Sequence, residues 1–209
     1  MKNNKYYNSL IIFDFDGVLV NSIKVMEIAW REVNKKFDLK ISFDAYRKQI
    51  GLPFYTILNK LGIFKKHKQI YHVFHKISQK NQKKIKLYNG VQQTINFLKK
   101  KGYMTAIVTS KNRSRVTNLV KRLKIPIKNI VCPSKKFRGK PYPDQVIEAI
   151  RKTKKKPTKI FYVGDMNVDY QLSQNSKAEF IFCKYGYEKK KKNYKNNISK
   201  IYELRKFFN

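Results

Sequence analysis

Acid is what this chain has least of. Thirteen aspartates and glutamates face 48 lysines and arginines in 209 residues, for a formal net charge of +35. Cysteine is nearly absent: Cys132 and Cys183 are the only two. They are too few for a disulfide framework and suit a reducing, cytoplasmic setting. No apolar run approaches the ~20 residues that a membrane-spanning helix needs, so no membrane partner is expected. The first residues carry the lysines of an export signal, but Asp14 and Asp16 interrupt the apolar stretch that follows, which argues against one. Hydrophobic residues at 42% and aromatics at 14% are enough for a core and exclude a largely disordered chain. The length exceeds the ~150 residues of a one-domain prior, so one domain with a sizeable insertion is expected.

A field of this sign attracts anions and would hold nucleic acid or acidic membrane without specificity. The composition offers a plainer account. Forty of the 48 basic residues are lysine, although arginine is the better fork for phosphate. Lysine, asparagine, isoleucine, tyrosine and phenylalanine are abundant, alanine and glycine are scarce, and the favoured set shares A/T-rich codons. Genomic base bias is therefore the favoured origin of the charge, and no specific nucleic-acid partner is expected. A selected polyanion surface is the alternative, and its binding would fall steeply with salt. The lysine runs 154–156 and 189–192 read as solvated loops.

Ser9 to Phe13 is a short apolar run that ends in Asp14-Phe15-Asp16-Gly17, as a buried strand running into a loop does. Met26, Trp30, Val33 and Phe37 then recur at helical spacing, with Asn21 or Ser22 as N-cap. From about residue 41 to 87 no clear strand is visible. Helix-like pieces lie around 43–50, 54–61 and 66–84, broken at Gly51-Leu52-Pro53 and Gly62. Residues 21–87 form the expected insertion, helical and basic.

Beyond Gly90 strands and helices alternate. A helix bearing Val91, Ile95 and Leu98 stops at Gly102, and a strand at 104–108 ends in Thr109-Ser110. A helix with Val116, Leu119, Val120 and Leu123 follows, then a strand at 130–132 and a polar loop at 134–143. A helix with Val146, Ile147 and Ile150 leads to a strand at 160–163 that ends in Gly164-Asp165. A strand at 180–182 and a terminal helix complete the pattern. This is the pattern of an α/β fold with a doubly wound parallel sheet, formed by residues 1–20 and 88–209. Ligands in such folds bind beyond the carboxyl ends of the strands.

The polar residues of interest lie at those ends. Asp14, Asp16, Thr109, Ser110, Asp165 and Asp169 each follow an apolar strand, and Lys140 sits in the loop after the third. The chain has only seven aspartates, and four of them fall at two strand ends. Aspartate is an ordinary turn and cap residue, but such concentration in so acid-poor a chain is not what turns alone produce. Carboxylates that converge repel one another and need a cation between them. A few hard oxygen ligands, with water and substrate filling the remaining positions, describe a magnesium site. A carboxylate beside the ion can attack phosphorus, while the metal and a lysine neutralise the phosphoryl oxygens.

Four segments carry a resemblance. Asp14-Phe15-Asp16-Gly17-Val18-Leu19-Val20-Asn21-Ser22, Ile107-Val108-Thr109-Ser110-Lys111, Gly139-Lys140-Pro141-Tyr142-Pro143-Asp144 and Gly164-Asp165-Met166-Asn167-Val168-Asp169 resemble, in order, the four signatures of the haloacid dehalogenase superfamily. The likeness is strongest to its phosphatases, in the phosphoglycolate phosphatase and beta-phosphoglucomutase group. It spans nearly the whole chain, with the helical region where that family inserts a cap. The resemblance implies that Asp14 is the nucleophile and a magnesium ligand. Asp16 would be the general acid and base, with its backbone carbonyl on the metal. Thr109 and the Ser110 N–H would bind the phosphoryl group, and Lys140 would neutralise it. Asp165 would ligate the metal, supported by Asp169. The second aspartate, Asp16, sets the phosphatases apart from true dehalogenases. Asn21 stands where relatives often have aspartate, with little expected effect. Gly51 resembles a cap glycine of the group, or is simply a helix break. Arg47 and Lys48 are candidates to meet an anionic substrate tail. Histidines 67, 72 and 75 share one segment but lack further metal-ligand spacing.

The expected activity is magnesium-dependent hydrolysis of a small phosphomonoester, such as phosphoglycolate or a sugar phosphate, through a phospho-aspartate. One alternative is a sugar-phosphate mutase, which uses the same core. Another, of a different class, is a polyanion-binding module with a vestigial site; the retention of Asp14, Asp16, Thr109, Lys140 and Asp165 weighs against it.

Overall fold

A computed structural model describes residues 8–189 and 193–209. The lysines of the first seven residues and Lys190 to Lys192 lie outside the described residues.

The chain begins with β1 (Leu10–Phe13), then β2 (Val20–Asn21) and four helices: α1 (Ile23–Phe37), α2 (Phe43–Arg47), α3 (Phe54–Lys60) and α4 (His67–Lys80). Strand β3 (Lys86–Leu87) and helix α5 (Val91–Lys100) lead into β4 (Met104–Val108), α6 (Arg113–Arg122), β5 (Asn129–Val131) and α7 (Asp144–Thr153). Then come β6 (Ile160–Gly164), α8 (Asn167–Asn175), β7 (Glu179–Cys183), β8 (Asn197–Ile198) and α9 (Leu204–Phe207). Six strands form one sheet in the order β5-β4-β1-β6-β7-β8, every pairing parallel.

Strand β1 is central, and all four of its residues are buried. Helices cover both faces of a parallel sheet, so its inner strands are apolar throughout rather than alternating. The side chains still divide by the two-residue period. Ile11 and Phe13 pack with Ile95, Leu98, Val116 and Leu119 of α5 and α6. Leu10 and Ile12 pack with Val146, Ala149 and Leu172 of α7 and α8. From β1 the chain builds β4 and β5 on one side, then crosses to β6 on the other. The carboxyl end of β1 is therefore the switch point where such folds hold ligands.

Helices α1 to α4 have their own apolar cluster. Trp30 of α1 stacks on Tyr46 of α2 with ring centroids 4.5 Å apart, and Ile70 and Phe74 of α4 pack with them. Met166, Val168 and Tyr187 from the other side of the molecule join the same cluster. Among the described residues no helix is long and apolar enough to cross a membrane.

The longer strands fall within a residue or so of their sequence-predicted positions. Three features go beyond the sequence pattern. Helix α8 starts two residues after Asp165, β8 closes one sheet edge, and β2 pairs antiparallel with β3 where the chain enters and leaves the helices (Val20 opposite Leu87). Two-residue strands have no periodicity to detect. The α1 N-cap also differs in detail. Ser22 holds the cap position without a side-chain cap bond. Asn21 Oδ1 instead accepts from the Ile23 N–H at 3.3 Å, and the Ser22 hydroxyl is used elsewhere, as described next.

Candidate active site

Each strand end delivers one part of the site. Asp14 and Asp16 follow β1, Thr109 follows β4, Lys140 lies in the loop between β5 and α7, Asp165 follows β6, and Asp169 is in the first turn of α8. All six are buried, although buried charge is ordinarily tolerated only when paired. Lys140 is the hub. Its ammonium lies 2.8 Å from Asp14 Oδ1 and 2.8 Å from Asp169 Oδ1. The other oxygen of Asp169 accepts the N–H groups of Asp165 at 3.2 Å and Met166 at 3.1 Å, which fixes it at the start of α8.

Asp165 sits in a glycine cradle. Tyr187 N–H donates to its Oδ2 at 2.6 Å. A Cβ added at Gly17, whose φ is +85°, would lie 2.1 Å from that oxygen, and one added at Gly186 would lie 2.1 Å from the Asp165 Cβ. Gly186→Ala should therefore cost about 1–3 kcal/mol of stability through overpacking. A melting curve checks this; a variant that melts like wild type would contradict the cradle.

The charges within the cluster do not cancel. Asp14, Asp165 and Asp169 bring three carboxylates against one ammonium. Burial, opposed by Lys140 and reinforced by Asp169 and Asp16, pushes the Asp14 carboxyl up to about 7. Burial and the charges of Asp169 and Asp14 likewise hold Asp165 well above the carboxylate range. Burial alone would lower Lys140, but the two carboxylates outweigh it and keep the ammonium firmly protonated. An oxygen from each of Asp14, Asp165 and Asp169 lies within 4.8 Å of the others, and Asp165 Oδ1 is buried without a hydrogen-bond partner. An unpaired buried carboxylate oxygen beside excess negative charge, with oxygen donors only, fits a hard divalent cation.

Asp16 faces a different environment. Its Oδ1 accepts from Ser22 Oγ at 2.5 Å, and its Oδ2 lies 3.0 Å from Lys111 Nζ. Tyr187 reinforces this arrangement, because its hydroxyl accepts the Ser22 N–H at 2.7 Å. Thr109 Oγ1 accepts the Lys111 N–H at 3.1 Å, and Gln145 holds the Thr109 carbonyl at 3.0 Å. Ser110 ties the two halves of the molecule together: its hydroxyl donates to the Gly51 carbonyl at 2.5 Å. Beside these residues lies a cavity of about 250 Å³, lined by Asp14, Asp16, Thr109 and Ser110 and by side chains of α2, α3 and α4.

The structure thus brings together Asp14, Asp16, Thr109, Ser110, Lys140, Asp165 and Asp169. It does not bring Arg47 to them: its guanidinium pairs with Asp44 at 3.2 Å and is absent from the cavity lining. Lys48 also pairs with Asp44. No histidine joins the carboxylate cluster; His67 contacts the Ile63 carbonyl and His75 contacts Arg115. Cys132 and Cys183 are buried free thiols. Sequence reasoning missed the roles of Lys111, Arg115 and His75. Lys111 lies in the loop before α6 and Arg115 in the first turn of that helix, so no periodic signal links them in the sequence.

A parallel α/β sheet with acids and a lysine gathered at its switch point defines a Rossmann-like α/β protein whose polar site lies at the strand ends. The haloacid dehalogenase-like hydrolase family model matches residues 11–183, and the chain belongs to that family. It is 26% identical over 184 residues to a phosphoglycolate phosphatase of Aquifex aeolicus, with 86% of each chain covered. It is 25% identical over 176 residues to the pyrophosphatase PpaX of Bacillus mycoides, covering 82% of this chain and 81% of that one. The solved structure of a hydrolase from Pseudomonas syringae superposes with a TM-score of 0.83 at 22% identity, over 94% of this chain and 95% of the other. That structural likeness shows a shared fold.

Proposed function

We propose that this family member is a magnesium-dependent phosphatase that hydrolyses a small phosphomonoester through a phospho-aspartate on Asp14. Residues 21–87 would act as a cap over the core formed by 1–20 and 88–209. One observation carries the reading: a buried carboxylate, Asp14, is held by Lys140 in the lining of a cavity, within reach of two more carboxylates. A magnesium ion held by Asp14, Asp165, the Asp16 carbonyl and, directly or through water, Asp169 would supply positive charge to the phosphoryl oxygens.

The chain's own residues supply the rest. Asp14 attacks phosphorus, and Lys140 neutralises charge that builds on the phosphoryl group and orients the nucleophile. Thr109 and the Ser110 N–H hold phosphoryl oxygens. Asp16, on the cavity wall, gives a proton to the leaving oxygen and then takes one from the attacking water. The Ser22 and Lys111 contacts keep that carboxyl in one orientation. Helices α2 to α4 exclude bulk water while the phosphoryl group transfers, which strengthens each of these interactions. The relatives named for phosphoglycolate and pyrophosphate hydrolysis support phosphate chemistry on a small substrate.

Treatment with EDTA should abolish release of inorganic phosphate from a panel of metabolite phosphates, and magnesium should restore it better than zinc. Activity indifferent to chelation would overturn the metal assignment. An isomerised product in place of free phosphate would mark a mutase.

A further inference from the structure

The phosphatase reading leaves open what the phosphate is attached to, and the rest of the cavity lining bears on that. This inference rests on that reading. The wall carries two cations from the core, Lys111 and Arg115, and aromatic side chains from the helices above, among them Phe54, Tyr71 and Phe74. Lys111 is matched by Asp16 at 3.0 Å. Arg115 is not matched: among the described residues no carboxylate lies within salt-bridge distance of its guanidinium.

Its partner is instead an imidazole. Arg115 Nη1 lies 2.7 Å from His75 Nδ1. Burial, then the charges of Arg115 and Lys111, lower the His75 pKa to about 3, so the ring is neutral and accepts the guanidinium proton without contributing counter-charge. Burial lowers Arg115 as well, and the pull of Asp16 does not offset it. The imidazole is itself held, with its centroid 3.9 Å from that of Tyr71 and 5.7 Å from that of Phe54. A half-buried guanidinium is thus oriented by a fixed neutral acceptor, with Asp16 acting on it only from beyond salt-bridge distance. Leaving such a group without a counter-charge is unfavourable unless something else supplies one. The cavity is where it would come from.

Much of the cavity lining is apolar and a poor partner for a polyol. Met26, Ile50, Phe54, Ile57 and Phe74 would face sugar hydroxyls without hydrogen bonds. We propose that Arg115, oriented by His75, binds a second anionic group on the leaving group, so that the preferred substrates are phosphomonoesters with an apolar body and a carboxylate or phosphate at the far end. Arg115 is then a specificity-determining residue that touches substrate remote from the reacting phosphorus. The planar guanidinium suits either anion through paired N–H bonds.

The test compares three phosphate esters on the magnesium-loaded full chain: phenyl phosphate, 4-carboxyphenyl phosphate and the bisphosphate of 4-hydroxybenzyl alcohol. Wild type should show kcat/KM on the order of 10-fold or more higher for the two anionic-tailed esters than for phenyl phosphate, and glucose 6-phosphate should be poorer than all three. Arg115→Met should lower kcat/KM for the tailed esters by on the order of 10- to 100-fold more than for phenyl phosphate, chiefly through KM, with Arg115→Lys intermediate. Whichever tailed ester loses more identifies the anion as carboxylate or phosphate. Equal wild-type kcat/KM for tailed and untailed esters would overturn the proposal, even if Arg115→Met failed to fold. So would equal losses on all esters in a folded variant. Turnover of none of them with magnesium would instead overturn the phosphatase reading on which the proposal rests.

Discussion

Asp14→Asn will lower turnover by on the order of 10⁴-fold or more while leaving the fold intact. The asparagine amide has the size of the carboxylate and keeps an oxygen to accept the Lys140 ammonium bond seen at 2.8 Å. What it lacks is nucleophilicity toward phosphorus, and under the proposed mechanism no neighbour can replace the residue that forms the covalent intermediate. Asp16 is no substitute, since its oxygens are engaged by Ser22 and Lys111. Single-turnover assays with circular dichroism as a fold control check the prediction. Activity within tenfold of wild type would remove Asp14 from the nucleophile's position.

Lys140→Met should damage both stability and catalysis. The substitution keeps an unbranched side chain but removes the ammonium that bridges Asp14 and Asp169, both buried. Removing one partner of a buried pair typically costs about 3–5 kcal/mol, because the remaining charge has neither water nor counter-ion. The metal-free protein should show this as a lowered urea midpoint. Loss of a preorganised cation at the transferring phosphoryl group should lower kcat by about 10²- to 10³-fold. A magnesium titration of stability separates the two effects, since the ion would supply part of the missing positive charge. An unchanged midpoint and unchanged kcat would show that Lys140 is neither structural hub nor catalytic cation.

Much of this site is legible in the sequence because the chain is poor in acid. With seven aspartates in all, the pairs Asp14/Asp16 and Asp165/Asp169 stand out at the ends of two apolar runs. Strand periodicity then places both pairs on the same edge of a parallel sheet. Lys140 needed the resemblance, since nothing local separates it from 39 other lysines. Its burial is a tertiary fact, set by how the 134–143 loop folds back over β1 and β6.

What escaped the sequence is of one kind: pairing between distant residues. His75 and Arg115 are 40 positions apart, and neither the helix of one nor the helix of the other announces the contact. Ser22 shows a subtler failure. Its position at a helix start suggested a cap, but the hydroxyl is turned to the Asp16 carboxylate, to which it donates, and makes no cap bond to the helix. Arg47 failed in the opposite direction. It sits on a helix near the cavity, but Asp44, three residues earlier, captures its guanidinium. The two-residue strands β2, β3 and β8 form because longer elements bring their backbones side by side.

Trapping the enzyme in mid-reaction with borohydride tests the account most directly. A phospho-aspartate is an acyl phosphate and is reduced to an alcohol, so peptide mass spectrometry after a quenched turnover should find homoserine in place of aspartate at position 14. The mark should depend on substrate and magnesium. Reduction at another residue, or none during a measured burst of leaving-group release, would contradict covalent catalysis by Asp14.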